Sequence, residues 1–169
     1  DLYKMFHVLF GGVKGGLAIG TMFMMVAISA MNGLSVAGMA IGATIALPEM
    51  LRRNYDKRMI TGVVQAGSSL GILIPPSVVM VLYGMIARQP VSKLWMAGIL
   101  PGLLMAFLFL IYIYVRCKLQ PELGPPLKKE ERSVSTIEKI RLLKAGIIPF
   151  LIFFFMTGLF LMGIASLVE

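Results

Sequence analysis

The segment Ala66-Gly67-Ser68-Ser69-Leu70-Gly71-Ile72-Leu73-Ile74-Pro75-Pro76-Ser77 interrupts an apolar run that extends from residue 59 to residue 87. The two adjacent prolines lack backbone N–H donors and their rings clash with the preceding helical turn, so a helix must break there. The glycines before them allow the backbone to unwind. We therefore predict that residues 59–87 form a broken helix, with two half-helices around a non-helical centre.

The composition indicates that lipid is the solvent of this chain. Of its 169 residues, 58% are hydrophobic and only 14% are charged. A soluble domain of this length has too little polar surface to cover such an apolar load. The net charge of +8 could indicate a nucleic-acid partner. However, the basic residues form short clusters between long uncharged runs, which is typical of cytoplasmic loops, so we predict an all-α membrane protein that binds no nucleic acid.

The charge pattern predicts the topology. Most of the 16 basic residues fall before residue 15, within residues 52–58 or within residues 116–144, and the positive-inside rule places all three regions in the cytoplasm. The predicted segments are a lead-in at 1–14, an apolar stretch at 15–51, the broken helix at 59–87, a transmembrane helix at 94–115, a cytoplasmic loop or interfacial helix at 116–144 and a final span at 145–168.

The stretch 15–51 must begin and end on the same side of the membrane. It is too long for one crossing, at roughly 20 residues per span, and too short for two full crossings and a turn. The polar pair Asn32-Gly33 lies at its centre, with Ser29 and Ser35 on either side. We expect a re-entrant helical hairpin that turns near the middle of the membrane. Two short complete spans are the alternative.

The two interruptions, at 29–35 and 67–76, are the candidate site. Non-helical backbone survives at membrane depth only when it is buried in protein or lines a watery cavity. Free carbonyls and hydroxyls there can ligate a small cation, and half-helix N-termini favour an anionic substrate, as in secondary transporters. The alternative is that the small residues only allow close helix packing. The apolar stretches contain no Asp, His, Lys or Arg, so neither an enzyme nor a proton relay is expected.

Three segments carry a specific likeness to a known family. They are residues 45–58 (IALPEMLRRNYDKR), residues 66–77 (AGSSLGILIPPS) followed by Tyr83-Gly84, and residues 97–102 (AGILPG). The pattern resembles the large membrane subunit of TRAP (tripartite ATP-independent periplasmic) transporters over about residues 10–120. This is far more specific than any one short motif.

The resemblance implies one half of an inverted-repeat, elevator-type carrier in the bacterial inner membrane. Such a carrier crosses the membrane several times, works with a small membrane subunit and a periplasmic substrate-binding protein, and imports small organic anions, typically carboxylates, by sodium symport. It implies no cofactor besides sodium as the coupling ion. A carrier without a binding protein and a non-transporting scaffold are the alternatives.

The resemblance also implies a set of site residues. Sodium would be held at Ser29, Asn32, Ser35, Gly67 and Ser68, and the wider substrate and ion site adds Gly33, Ser69, Gly71, Pro75 and Pro76. The chain departs from the family at the hairpin tip, where Gly33-Leu34-Ser35 replaces the usual Gly-Ser-Ser and removes one hydroxyl.

The chain starts at Asp1 without an initiator methionine, and it ends near the start of the family's second repeat. We therefore expect a fragment of a longer protein. Sodium-driven uptake should be absent when these 169 residues alone are reconstituted in liposomes.

Overall fold

The computed structural model describes residues 10, 14–125, 151, 155 and 157–159. Within these residues the chain is helical and contains no strand. The predicted lead-in at 1–14, the loop beyond residue 125 and the span at 145–168 fall mostly outside them. The helices are α1 (Gly16–Asn32), α2 (Ser35–Ile41), α3 (Leu47–Arg52), α4 (Lys57–Ser69), α5 (Val78–Ala87) and α6 (Val91–Leu119), with a π turn at Gly42–Ala46 and 3₁₀ turns at Leu70–Ile72 and Pro121–Leu123.

The first two helices are separated at the polar pair in the centre of residues 15–51. Gly33 ends α1 with a φ of 64°, and its N–H donates to the Ser29 carbonyl at 2.8 Å. Leu34 is extended, and α2 begins at the next residue. The π turn joins α2 to α3 directly before Pro48, whose ring cannot fit against a regular preceding turn. The course of this helix pair relative to a bilayer stays a prediction.

The second interruption separates α4 from α5. Asp56 caps α4, because its carboxylate accepts from the N–H groups of Arg58 and Met59 at 2.9 and 3.2 Å. After the 3₁₀ turn the chain is non-helical over residues 73–77, and the Pro75–Pro76 peptide bond is cis. Ser77 then caps α5, where its hydroxyl accepts from the Met80 N–H at 3.3 Å. The helix thus ends and restarts around the two prolines.

Helix α6 is the one helix among the described residues that is long and apolar enough to cross a membrane. Its 29 residues extend about 44 Å, so it begins before and ends after the predicted span at 94–115. Tyr112 and Tyr114 are exposed near its end, as interfacial residues would be. Trp95, near the start of α6, is 4% exposed and packs within the protein.

The core forms mainly where α1 packs against α4. Methionines fill much of it, and Met22, Met24, Met25 and Met50 are at most 2% exposed. Unbranched methionine side chains adapt to irregular gaps between helices, which fits their role in packing here. Cys117 is also buried in the core, where α6 approaches the start of α1.

The two interruptions meet at the end of α1. The Val78 N–H, at the start of α5, donates to the Gly33 carbonyl at 3.2 Å. A Cβ atom on Gly33 would lie 2.7 Å from the Pro76 carbonyl oxygen, which is closer than real Cβ contacts come. Position 33 therefore requires glycine for its positive φ and also for this close approach.

We predict that Gly33→Ala lowers the free energy of unfolding by about 1–3 kcal/mol, because alanine is strained at positive φ and its methyl group meets the Pro76 carbonyl. Gly62→Ala is the matched control, since Gly62 is helical and no described atom lies within 4 Å of its added Cβ. The control should leave stability unchanged or raise it by up to about 1 kcal/mol. Thermal unfolding of the protein in detergent measures both, and equal stability of the two variants would contradict the described turn.

Candidate functional site

Two serines from different helices lie against one glycine of α2. A Cβ atom on Gly38 would overlap the Ser29 hydroxyl oxygen and would lie 3.5 Å from the Ser68 Cβ. Ser29 is near the end of α1, and Ser68 is near the end of α4, because residues 67–69 of the predicted second interruption are still helical. The absence of a side chain on Gly38 therefore lets the two serines approach each other.

The 3₁₀ turn after α4 also packs against Ser29. A Cβ atom on Gly71 would lie 2.6 Å from the Ser29 Cβ and 2.7 Å from the Ser29 carbonyl oxygen. The backbone of the turn therefore packs directly on the backbone of α1. We refer to Ser29, Gly38, Ser68 and Gly71 as the serine cluster.

The Ser29 hydroxyl is fully buried and makes no hydrogen bond to any residue that the structure describes. An unsatisfied buried polar group costs about 1–3 kcal/mol, so the Ser29 hydroxyl is a candidate to contact a ligand, an ion or a buried water. Ser68 is also fully buried, but its hydroxyl donates to the Gln65 carbonyl at 3.0 Å. Because a hydroxyl has one hydrogen and two lone pairs, the Ser68 oxygen can still accept a hydrogen bond or ligate a cation.

The other predicted site residues surround this cluster at different depths. Asn32 is exposed, and its side-chain amide donates to the Ile28 carbonyl at 2.9 Å. Ser35 is half-buried as the first residue of α2, and Ser69 is half-buried with its hydroxyl on the Ala66 carbonyl at 2.8 Å. Gly67 contacts the Met25 side chain, so its Cα faces the methionines of α1.

Three of the predicted site residues, Gly33, Pro75 and Pro76, lie where the two interruptions meet. Gly33 and Pro76 are in contact there, and Pro75 is buried beside them. The structure thus brings Ser29, Ser68 and Gly71 together in one cluster and gathers Gly33 and Pro76 in a second contact.

Gly38 is the cluster residue that the sequence interpretation missed. Its signal was present, because Gly38 and Gly42 are four residues apart, the spacing with which small residues mark a close helix-packing face in membranes. Gly42 performs that role against Met25 and Val64, where an added Cβ would lie 2.7 Å from the Met25 sulfur and 2.9 Å from a Val64 methyl.

The serine cluster is uncharged. The carboxylate of Glu49 lies on α3, where it pairs with Arg52 at 2.8 Å and with Arg53 at 2.7 Å. These two ion pairs are partly solvent-exposed, and they compensate the negative charge of Glu49 with its neighbours in the sequence. Among the described residues no group of three or more His, Cys, Asp or Glu side chains could hold a metal ion. The oxygens that the cluster offers, the Ser29 and Ser68 hydroxyls and the Ser29 carbonyl, are therefore neutral.

Comparison with known proteins assigns the fold to a family. The sequence matches the family described as "Tripartite ATP-independent periplasmic transporter, DctM component" over residues 1–169. The chain belongs to this family. DctM proteins are transporter permeases, so this chain is a membrane protein of the TRAP type, as its three sequence segments predict.

Curated relatives agree with the family. The C4-dicarboxylate TRAP transporter large permease protein DctM of Pseudomonas aeruginosa is 39% identical over 105 residues, which cover 62% of this chain and 25% of that protein. The ectoine/5-hydroxyectoine TRAP transporter large permease protein UehC of Ruegeria pomeroyi is 36% identical over 106 residues, 62% of this chain and 24% of that protein. The isethionate TRAP transporter permease protein DctMQ of Oleidesulfovibrio alaskensis is 34% identical over 106 residues, 63% of this chain and 17% of that protein.

The DctM chain therefore spans about a quarter or less of the length of the curated relatives that it matches. The residues in hand establish the family and the local geometry of one pair of interruptions. The activity, substrate and partners of the whole protein are proposals.

A double-mutant cycle tests the contact between Gly38 and the Ser29 hydroxyl. Gly38→Ala should destabilise the protein, because its methyl group overlaps the Ser29 hydroxyl. Ser29→Ala should relieve much of that loss, since the added Cβ would be 3.3 Å from the Ser29 Cβ once the oxygen is removed. The expected coupling between the two substitutions is about 1 kcal/mol or more, measured by unfolding in detergent.

Gly71→Ala is the matched control for this cycle. Its methyl group meets the Ser29 Cβ and backbone rather than the hydroxyl, so Ser29→Ala should not rescue it. Equal rescue of both glycine variants, or rescue of neither, would contradict the described geometry.

Proposed function

We propose that this DctM chain is part of the large permease subunit of a sodium-coupled TRAP transporter that imports small organic anions. The observation that carries the proposal is the fully buried Ser29 hydroxyl, which has no hydrogen-bond partner among the described residues and lies where two interrupted helical elements touch. A protein that used these interruptions only for packing would gain stability by placing an apolar atom at that position.

Sodium is the proposed occupant of this region. A small hard cation requires several oxygen ligands, and neutral hydroxyls and carbonyls bind it without burying a second charge. The Ser29 and Ser68 hydroxyls are the buried candidates, and the carbonyls freed around the second interruption are the natural additional ligands. Asn32, Ser35 and Gly67 remain in the proposed set, with Asn32 and Ser35 contributing if the hairpin tip closes on the ion.

The names of the relatives guide the choice of substrate. They refer to C4-dicarboxylates, isethionate and ectoine, which are all small, polar and bear at least one acidic group. A small organic anion, delivered by a periplasmic binding protein, is the proposed substrate class. The proposed assembly also contains a small membrane subunit and lies in the inner membrane, which the complete permease crosses several times.

The proposed mechanism is alternating access of the elevator type. The hairpin tip and the broken helix are joined by the Val78–Gly33 hydrogen bond and by the close approach of Gly33 to Pro76. Elements held together in this way would move as one rigid unit and carry the ion and substrate past a fixed scaffold.

We predict that Ser29→Ala and Ser68→Ala each lower the apparent sodium affinity of uptake by about 10–100-fold, since a polar contact to a charged group contributes about 1.5–3 kcal/mol. The measurement is sodium-driven uptake in proteoliposomes that contain the full-length permease, its small subunit and its binding protein. Thr61→Ala is the matched control, because Thr61 is also on α4 and its hydroxyl donates to helix carbonyls, but it is exposed.

A stability measurement separates loss of the ion from loss of the fold. Sodium, and not potassium, should raise the thermal unfolding midpoint of the parent protein, because a bound ligand stabilises the folded state. Ser29→Ala should lose this shift, and its sodium-free stability should equal or exceed that of the parent, because the unpaired hydroxyl is removed. If both serine variants keep sodium-dependent uptake and the sodium-dependent shift, a packing role without ion binding would be the correct interpretation.

A further inference from the structure

A cavity of about 870 Å³ lies between α4 and the last part of α6, away from the serine cluster. Its deeper walls are apolar and include Met22, Met59, Val63, Leu108 and Phe109. Its other end is polar and basic, with the side chains of Arg58 and Arg116. The proposed sodium and substrate pathway uses none of these residues.

The cavity has the length and the polarity gradient of part of one lipid leaflet. It follows α4 from residue 58 to residue 66 and α6 from residue 108 to residue 116. Eight residues of helix correspond to about 12 Å, which compares with about 15 Å for half of the hydrocarbon core. Both helices are charged at the same end of the cavity, although they run in opposite directions along the chain. The positive-inside rule places this end at the inner surface of the membrane.

The charges at the mouth suit an anion. Asp56 also lines the cavity, but its carboxylate accepts hydrogen bonds from two backbone N–H groups as the cap of α4. The described part of the chain contains no ion pair to Arg58 or Arg116, whereas Arg52 and Arg53 are paired with Glu49. The two guanidinium groups of the cavity are therefore available to a phosphate, for which arginine has a matching fork of donors.

We infer that this cavity binds an anionic phospholipid of the inner leaflet. One acyl chain occupies the apolar part between α4 and α6, and the phosphate lies between Arg58 and Arg116. Basic pockets between transmembrane helices on the cytoplasmic side bind lipid headgroups in this manner. Tyr112 lines the cavity near this end, at the depth where aromatic rings meet lipid headgroups.

The test measures lipid binding to the full-length permease in detergent by native mass spectrometry. Phosphatidylglycerol should bind more tightly than phosphatidylcholine. Arg58→Gln and Arg116→Gln should each weaken phosphatidylglycerol binding about fivefold, the effect of one basic side chain near an anionic surface. Lys118→Gln is the matched control, because Lys118 is on the same end of α6 but lies over the Tyr114 ring at 5.9 Å and does not line the cavity.

A second variant tests the acyl-chain part of the site. Gly62 lines the cavity, and no described atom lies within 4 Å of an added Cβ, so a larger side chain can extend into the cavity without a clash. Gly62→Leu should therefore weaken binding of phosphatidylglycerol tenfold or more, while the thermal unfolding midpoint of lipid-free protein stays unchanged or rises.

Four results would overturn the inference. Equal affinity for phosphatidylcholine would show that the arginines do not distinguish an anionic headgroup from a zwitterionic one. An equal loss of phosphatidylglycerol affinity in Lys118→Gln would show that only the general surface charge matters. Displacement of the lipid by inorganic phosphate at matched concentration would identify a simple anion site. Failure of any phospholipid to bind the parent protein would show that another protein segment fills the cavity.

Discussion

The hydrogen bond from the Val78 N–H to the Gly33 carbonyl joins the two places where the chain leaves helical geometry. In an apolar surrounding, each backbone group freed by a helix break must find a partner within the protein, because no water replaces the lost bond. This bond uses an N–H at the start of α5 and a carbonyl just beyond the end of α1. Each interruption therefore satisfies a backbone group of the other.

This mutual dependence explains why the surrounding residues are so small. For Gly33 to reach Pro76, the ends of α1 and α4 must approach closely, and glycine at positions 38 and 71 removes the side chains that would separate them. Most polar groups in this region are satisfied locally, as the Ser69 and Ser77 hydroxyls show by bonding within their own segments. The buried Ser29 hydroxyl is different, because the same close packing isolates it from any described partner. This buried and unpaired hydroxyl is the feature on which the proposed ion site rests.

The positions of both interruptions were predictable because local steric rules determine them. Two adjacent prolines end a helix in any context, and an Asn-Gly pair favours a turn with positive φ, as Gly33 adopts. Which side chains face each other across the contact depends on the rotation of α2 about its own axis when it packs on α1. Local sequence rules do not determine that rotation. The sequence therefore did not reveal that Asn32 is exposed or that Gly38 lies against Ser29. The burial of Trp95 could not be foreseen for the same reason, since the sequence does not state which face of α6 packs within the protein.

The length of α4 connects the charged end of the protein with the serine cluster. Arg58 lies in the first turn of α4 and Ser68 lies ten residues later, a rise of about 15 Å, which is half of the approximately 30 Å hydrocarbon core. If Arg58 lies at the inner surface, as the charge pattern predicts, a helix of this length ends near the middle of the membrane. A longer α4 would carry its serines through to the far side, and a shorter one would leave them near the headgroups. With Arg58 at the inner surface, the Asp56 cap and the proline break would set the depth of the serine cluster from opposite ends of one helix, close to the midplane where secondary transporters have their binding sites.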